Sequence, residues 1–189
     1  TLQNYRRIMN IFLIGYRCTG KTHVGRLLAQ HLSRPFVDLD AVITESAGMS
    51  IATMIERHGW DFFRDREREI LETAAQTRHQ VIATGGGIVE NPVNIATLRR
   101  GTVIWLTATA ETIGSRLSAD PATSANRPPL TNLPSHDEIR RVLAERTPLY
   151  QNAAHLTIAT DTISIADVCE QILSFLKGVY PCPADSEPF

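Results

Sequence analysis

The sequence predicts an α/β fold in which a five-stranded parallel sheet carries helices on both faces. Two observations support this prediction. Short apolar runs alternate along the chain with segments whose apolar residues recur at helical spacing. A glycine-rich loop, GYRCTGKT, joins the first of these runs to the first helical segment. Strands separated by helices pair in parallel through crossover connections, so helices cover both faces and the fold has three layers.

In the first half of the chain, NIFLIG is a buried strand, and HVGRLLAQHL after it has four aliphatic residues on one helical face. PFVDLD is a short second strand. Ser50 begins a helix that ends just before Gly59, because serine accepts a hydrogen bond at a helix start and glycine favours a helix end. DFFRDREREILETAA has the period of a further helix.

In the second half, VIAT, TVIWLTA and HLTIAT complete the strands, and VNIATLRR, AETIGSRLS, IRRVLAER and IADVCEQILSFL are helical. Ser135 and Glu138 predict a capping box before IRRVLAER, and Ser164 predicts a cap for the last helix. Pro148 is expected to end or kink its helix near Thr147, because proline lacks the backbone N–H that a helix interior uses.

We expect one domain over residues 10–177. Residues 1–9 are predicted to be an N-terminal extension in which Met9 is a candidate natural start. Residues 178–189 have prolines and no periodicity, which predicts a disordered C-terminal tail. The segment from about 118 to 134 is polar and proline-rich. Long loops of this kind inside compact domains often act as lids, so we predict a lid there.

Composition limits the classes of partner. The 189 residues carry a net charge of −1, which provides no electrostatic footprint for nucleic acid or a membrane surface. No apolar run approaches the roughly 18 residues that span a bilayer. The 3 cysteines, an odd number, are typical of a reducing compartment. We therefore expect a cytoplasmic monomer that binds a small molecule, with no nucleic-acid or membrane partner.

The loop GYRCTGKT has the spacing G-x-x-x-x-G-K-[ST] of a phosphate-binding loop. Backbone N–H groups of such a loop and of the helix N-terminus after it bind phosphate oxygens. Lys21 is expected to reach the β- and γ-phosphates of a nucleotide, and Thr22 to bind Mg²⁺. The alternative is a glycine-rich turn that only begins a helix. The strand before the motif and the helix after it favour the phosphate-binding loop.

Asp38 and Asp40 lie two residues apart at the end of the second strand. Side chains two apart on a strand share a face, and ligands of open α/β sheets bind at the carboxyl ends of the strands. One carboxylate could steady Mg²⁺ through water, and the other could accept a proton from an attacking hydroxyl. Alternatively, Asp40 only caps the helix that follows. The pair by itself favours neither interpretation.

Two charged residues are predicted on apolar helix faces. Arg146 falls in the middle of an apolar stripe, and a buried arginine needs an anion because an unpaired buried charge is costly. Glu67 falls on the apolar face of its own helix, with Arg64 at the edge of that face. Glu67 therefore has reason to pair with a nearby arginine. The alternative for FFRDRERE is a solvated run of charges.

Gly85, Gly86 and Gly87 follow the third strand as ATGGG. Consecutive glycines let another molecule approach the backbone closely, and these lie beside the expected cleft. A flexible turn is the alternative. Arg127, in the predicted lid, could close over a transferring phosphate as an arginine finger does. A loop arginine by itself is more often solvated.

Taken together, GYRCTGKT, DLD, FRDRE, ATGGG, RPPL and ERTPLY, in this order, resemble shikimate kinase over roughly residues 10–176. The resemblance implies a nucleoside-monophosphate-kinase-like fold with a lid and a substrate-binding subdomain. It also implies transfer of the ATP γ-phosphate to the 3-hydroxyl of shikimate, with Mg²⁺, in the chorismate pathway to aromatic amino acids. The products would be shikimate 3-phosphate and ADP.

The resemblance also implies roles for residues. Those it assigns to ATP are Gly15, Cys18, Thr19, Gly20, Lys21, Thr22, His23, Arg116 and Arg127. Those it assigns to shikimate are Asp40, Arg64, Gly85, Gly86, Gly87 and Arg146. Arg64 and Arg146 would grip the carboxylate, Glu67 would orient that pair, and Arg116 would lie against adenine. Thr22 and Asp38 would hold Mg²⁺. Asp40 would act as base, and Lys21 and Arg127 would stabilise the transferred phosphoryl group.

Three features depart from the family pattern: Cys18 in place of a smaller residue, a second proline in RPPL, and TDTIS without a basic residue near adenine. Two rival hypotheses stay open. One is another small-molecule kinase of the same fold, such as a gluconate kinase. The other is a non-enzymatic relative that binds nucleotide and regulates a partner. The pair of arginines argues against the first, and the intact set of candidate catalytic residues argues against the second.

Overall fold

The computed structural model describes residues 9–119 and 135–180, and its centre is a five-stranded parallel sheet. The strands are β1 (Ile11–Ile14), β2 (Phe36–Asp38), β3 (Val81–Ala83), β4 (Thr102–Thr107) and β5 (Leu156–Ala159). Their order in the sheet is β2-β3-β1-β4-β5, and all four pairings are parallel. The predicted number of strands and their parallel arrangement are confirmed.

Seven α-helices surround the sheet in the described ranges. They are α1 (Lys21–Leu32), α2 (Leu39–Ala47), α3 (Ile51–Gln76), α4 (Pro92–Leu98), α5 (Ala110–Ala119), α6 (Ser135–Ala153) and α7 (Ile165–Val179). A short 3-10 helix, Ile88–Glu90, follows β3. Of the helices between residues 9 and 119 and between 135 and 180, none has the length and apolar character that crossing a membrane requires.

The central strand β1 shows why the core has two halves. Ile11 and Leu13 pack with α1 and α7 on one face, whereas Phe12 and Ile14 pack with α3, α4 and α6 on the other. All four side chains are buried, so the strand is a continuous apolar run without polar alternation. The layers α–β–α predicted from the sequence are therefore present.

The end of β2 and the extent of α3 differ from what the sequence predicts. The strand β2 ends at Asp38, and Asp40 lies in the first turn of α2 instead of continuing the strand. The helix α3 spans both predicted helices, but its backbone is non-helical at Gly59, where φ is 85°. Ser50 caps α3 as predicted, since its hydroxyl oxygen accepts a hydrogen bond from the Thr53 N–H at 3.1 Å.

Pro148 does not end its helix near Thr147, because α6 continues to Ala153. Proline costs the helix one backbone hydrogen bond. The turn beyond it carries Tyr150, which is fully buried and stacks on Trp105 at a ring-centroid distance of 5.5 Å. Tertiary packing of this turn outweighs the local penalty.

At the carboxyl end of the described chain, α7 continues two residues beyond the expected domain end at 177. Tyr180 follows it, and its hydroxyl lies 3.1 Å from the Thr102 hydroxyl. The predicted extension except Met9, the part of the predicted lid from 120 to 134, and the last residues of the predicted tail lie outside the described residues.

The substitution Gly15→Ala is predicted to lower the free energy of unfolding by about 2 kcal/mol or more. Gly15 has a φ of 138°, and a Cβ there would lie 2.2 Å from the backbone oxygen of Leu106. The control is Gly178→Ala in α7, where a Cβ would meet no atom within 4 Å. That control should be neutral or stabilise by about 0.5 kcal/mol, because alanine favours helix more than glycine does. Urea denaturation measures both, and equal effects would contradict the steric argument.

Candidate active site

The phosphate-binding loop connects β1 to the N-terminus of α1, as predicted. Three of its residues have left-handed backbone conformations, with φ of 138° at Gly15, 60° at Cys18 and 91° at Gly20. The buried Thr19 stabilises the loop from inside, since its hydroxyl donates to the Tyr16 carbonyl at 2.8 Å. Cys18 occupies a conformation that glycine adopts more easily.

Lys21 and Thr22 begin α1 and point in different directions. The Lys21 ammonium donates to the carbonyls of Gly15 at 2.8 Å and Tyr16 at 2.7 Å, so it lies over the concave side of the loop. The Thr22 hydroxyl donates to Asp38 Oδ2 at 2.7 Å. The two predicted Mg²⁺ ligands are therefore neighbours, although they come from different strand–helix connections.

Asp38, and not Asp40, is the N-cap of α2. Its Oδ1 accepts a hydrogen bond from the Asp40 N–H at 3.2 Å, while its Oδ2 accepts from Thr22. The alternative that Asp40 caps this helix is therefore wrong. Both aspartates still line the same cavity as the phosphate-binding loop, because the first turn of α2 directs Asp40 back over the sheet edge.

This cavity has a volume of about 660 Å³, within the range of small-molecule sites. Residues of the phosphate-binding loop, the start of α1, α2 and the start of α3 form its walls. Those predicted to bind ligands are Cys18, Gly20, Lys21, Thr22, His23, Asp38 and Asp40. Residues predicted to bind the nucleotide and the residue predicted to accept a proton therefore line the same cavity, at the carboxyl ends of the strands.

Arg64 and Arg146, 82 positions apart in sequence, meet through a shared carboxylate. Glu90 accepts a hydrogen bond from Arg64 Nη2 at 2.8 Å on Oε2, and from Arg146 Nε at 2.9 Å and Nη2 at 2.8 Å on Oε1. Arg146 is buried, as its position on an apolar stripe predicts. The anion that it was expected to need is Glu90.

Glu67 is fully buried and contacts one arginine of the pair, with Oε2 2.6 Å from Arg64 Nη1. The interpretation of FFRDRERE as a wholly solvated charge run is therefore wrong. Among the described residues, no hydrogen-bond donor contacts the other oxygen, Oε1. Burial raises the pKa of the Glu67 carboxyl above its ordinary value, and the charge of Arg64 only partly opposes this rise.

The three glycines after β3 make room mainly for the protein's own side chains. A Cβ on Gly85 would lie 2.1 Å from Glu67 Oε1, and a Cβ on Gly87 would lie 2.0 Å from Arg64 Nη2. The backbone oxygen of Gly86 accepts a hydrogen bond from the buried Tyr150 hydroxyl. Glycine at 85 and 87 is thus explained by the arginine pair and its partner Glu67, and a freely flexible turn is excluded.

A second, smaller cavity of about 30 Å³ lies beside the arginine pair. Gly86, Gly87, Arg64 and Arg146 line it together with aromatic side chains of α3. Residues Arg17 and Ile51 line both cavities, so the two spaces adjoin. The phosphate-binding loop and the arginine pair therefore belong to one composite site.

Arg116 lies at the far end of the phosphate-binding loop, on α5. It donates to the Cys18 carbonyl at 3.1 Å and to the Thr160 carbonyl at 2.5 Å. It thereby joins the loop to the carboxyl end of β5, where its guanidinium could also face a nucleotide base. Arg127 lies outside the described residues.

Sequence reasoning missed Glu90, Arg17 and Glu138 as parts of this site. Arg17 Nη2 lies 2.5 Å from Glu138 Oε1, and that pair connects the phosphate-binding loop to α6. Glu138 was expected to cap α6, but a role for it in the site could not be read from local spacing. A signal for Glu90 did exist, because it follows the glycines at a strand end and Arg146 required an anion.

The substitution Glu67→Gln is predicted to remove a pH-dependent loss of stability. Because the native pKa of Glu67 is raised, the unfolded chain releases this proton first as the pH rises above 4.5. Native stability therefore falls from there until the native carboxyl also ionises. In urea titrations over roughly pH 5 to 8, the variant should gain stability relative to wild type as pH increases. The exposed Glu69→Gln is the control, and a difference that does not change with pH would refute the prediction.

Comparison with known proteins agrees with this geometry. A family model described as shikimate kinase matches residues 17–177. Shikimate kinase of Syntrophus aciditrophicus is 42% identical over 173 residues, 87% of this chain and 89% of that protein. Shikimate kinase 2 of Yersinia pestis is 45% identical over 172 residues, 89% of this chain and 95% of that protein.

A solved structure supports the same assignment. The shikimate kinase from Acinetobacter baumannii in complex with shikimate has a TM-score of 0.89 and 32% identity to this chain. The match covers 96% of this chain and 100% of that one. Sequence and fold thus agree over nearly the whole length, and the chain belongs to the shikimate kinase family.

Proposed function

We propose that this protein transfers the γ-phosphate of ATP to the 3-hydroxyl of shikimate. The observation that supports this substrate most directly is the arginine pair, Arg64 and Arg146, around one carboxylate. Two guanidinium groups that already hold the carboxylate of Glu90 have the spacing to hold the carboxylate of a small acid. The phosphate-binding loop lines the adjoining cavity. An acid held by the arginine pair would therefore present its hydroxyls toward that loop.

Asp40 is the proposed general base. It lines the cavity between the phosphate-binding loop and the arginine end, and it starts a helix whose backbone holds it near the sheet edge. An aspartate in that place can accept the hydroxyl proton while the oxygen attacks phosphorus. Most of the catalysis would then come from positioning and charge stabilisation, which phosphoryl transfer chiefly needs.

The residues present fit a nucleotide and Mg²⁺. The loop has three residues with left-handed backbone conformations and leads into the N-terminus of α1, where backbone N–H groups and the helix dipole favour phosphate oxygens. Thr22 and Asp38 offer a hydroxyl and a carboxylate 2.7 Å apart. Mg²⁺ prefers such oxygen ligands together with phosphates, and it would neutralise charge on the transferred group. Lys21 would stabilise the same charge, and Arg127 is proposed to do so from the predicted lid.

A gluconate kinase is the rival within the same fold. Gluconate also carries a carboxylate, so that group alone does not separate the two acceptors. The aromatic rings of Trp60 and Phe63 beside the arginine pair favour a cyclic acid with an apolar face over an open polyhydroxy chain. Shikimate has such a ring, and gluconate does not.

The proposed activity predicts strong ADP release with shikimate and Mg-ATP. A coupled assay would compare shikimate, quinate, gluconate and AMP as acceptors. Turnover should be strong with shikimate alone and abolished in Lys21→Ala, because Lys21 contacts the phosphate-binding loop where charge develops. ATP binding without turnover on any acceptor would favour a regulatory nucleotide-binding protein instead.

The substitution Asp40→Asn should reduce kcat by about 100-fold or more, as loss of a general base does. The fold and ATP affinity should be retained, because the N-cap of α2 is Asp38 and is unchanged. Calorimetric titration with ATP and the coupled assay measure the two effects separately. Turnover within a few fold of wild type would remove Asp40 from the role of base.

A further inference from the structure

We propose that Glu90 is an internal counterion that occupies the carboxylate site of the arginine pair and leaves it when the substrate carboxylate binds. This inference rests on the proposed function for the identity of the substrate. Its physical basis is separate, because it concerns the contacts that Arg64 and Arg146 make with Glu90.

Glu90 uses the donors that an incoming carboxylate would need. Arg146 directs both Nε and Nη2 to Glu90 Oε1, at 2.9 and 2.8 Å, so the planar edge that binds carboxylates is taken. Arg64 directs Nη2 to Glu90 Oε2 at 2.8 Å and Nη1 to Glu67 at 2.6 Å. A substrate carboxylate can reach the same edges only after Glu90 gives them up.

The charges lead to the same conclusion. With Glu90 in place, two guanidinium groups face the two carboxyl groups of Glu67 and Glu90. A bound substrate would then place its carboxylate beside that of Glu90 on the same guanidinium edges, where two like charges in contact repel strongly. If Glu90 leaves, the substrate carboxylate takes its place, and the net charge of the cluster is unchanged. Exchange is therefore favoured over addition.

Glu90 is also the member of the cluster that can leave. Its side chain is 41% exposed, whereas the side chain of Arg146 is 8% exposed and that of Glu67 is 1% exposed. It lies at the end of the short 3-10 helix, so a rotation of its side chain reaches solvent without any change in the sheet. The free carboxylate would recover its hydration in water.

The arginines do not need Glu90 to keep their orientation. Arg64 is held by Glu67 and lies over the rings of Trp60 at 5.6 Å and Phe63 at 5.3 Å. Arg146 lies on α6 with its side chain buried, so the packing around it restricts its rotation. If Glu90 only oriented the arginines, it would duplicate these contacts. A role as counterion explains why its carboxylate contacts both Arg64 and Arg146.

The cavity beside the pair is consistent with exchange. Its volume of about 30 Å³ holds only one or two water molecules, so an organic acid cannot enter without movement of a neighbouring group. An exposed carboxylate that already spans both arginines is the group whose movement opens the carboxylate site directly.

The first test measures shikimate binding to the full chain without nucleotide, by the fluorescence of Trp60, which lines the cavity. In Glu90→Gln the Kd should fall about fivefold, because the substrate no longer competes with an internal anion. KM should fall in parallel with Kd, by a larger factor than any change in kcat. For the uncharged methyl ester of shikimate, the same substitution should not tighten binding. The control is Glu145→Gln, which removes an exposed carboxylate paired with Arg141 on the same helix and should leave Kd unchanged.

A second test does not depend on shikimate. In Glu90→Ala, acetate at roughly 100 mM should raise the Tm by about 2 °C more than it does in wild type, against chloride of equal ionic strength. The reason is that acetate must displace Glu90 from the arginine pair in wild type, whereas in the variant it binds the pair without that competition. An equal effect of acetate on both proteins would overturn the proposal.

The outcomes separate this proposal from the proposed function. Weaker or unchanged shikimate binding in Glu90→Gln would overturn the role as counterion and leave the substrate assignment intact. A wild-type chain that binds ATP but not shikimate would overturn the substrate assignment. In that case the acetate measurement by itself decides whether Glu90 occupies an exchangeable carboxylate site.

Discussion

Parallel pairing of the strands is the constraint on which the site depends. β1 lies between β3 and β4, and β3 lies between β1 and β2, so the carboxyl ends of these strands meet at one edge. Asp38 is the last residue of β2, the phosphate-binding loop follows β1, and the three glycines begin two residues after the end of β3. Residues from three separate parts of the chain therefore face one space without any long-range motif in the sequence. An antiparallel arrangement would have sent alternate connections to the opposite edge.

Burial of charge is the second theme of this structure. Glu67, Arg146 and Glu138 are buried, and each has a partner of opposite charge from a different turn or element. Such pairs rarely increase stability over an apolar core, but breaking one leaves an uncompensated charge that costs about 3–5 kcal/mol. Among the described residues, these buried charges lie at or beside the two cavities, since Glu67 and Arg146 line the smaller one and Glu138 pairs with Arg17, which lines both. The same cost explains why the buried guanidinium of Arg146 contacts the carboxylate of Glu90.

At Pro148 and Cys18 the local backbone preference of the residue differs from the conformation observed. In both places, tertiary contacts outweigh that preference. Pro148 should interrupt α6, yet the turn after it carries Tyr150 into the core against Trp105 and onto the Gly86 carbonyl. Cys18 adopts a left-handed backbone that costs a non-glycine residue energy, yet the loop around it is held by Thr19 and Arg116. In each case several contacts outside the local segment oppose one local penalty.

The sequence by itself determined the fold class, the five strands, the phosphate-binding loop and the burial of Arg146 and Glu67. These features follow from apolar periodicity and from a motif whose residues are adjacent in the chain, so local information is sufficient for them. Only the tertiary structure decided that Asp38 caps α2, that α6 passes through Pro148, and that Glu90 joins Arg64 to Arg146. Those outcomes depend on which side chains meet across 16 to 82 positions of sequence, such as Thr22 with Asp38 and Arg64 with Arg146. No periodicity encodes such distances, because they are set by the order of the strands and the packing of helices on the sheet.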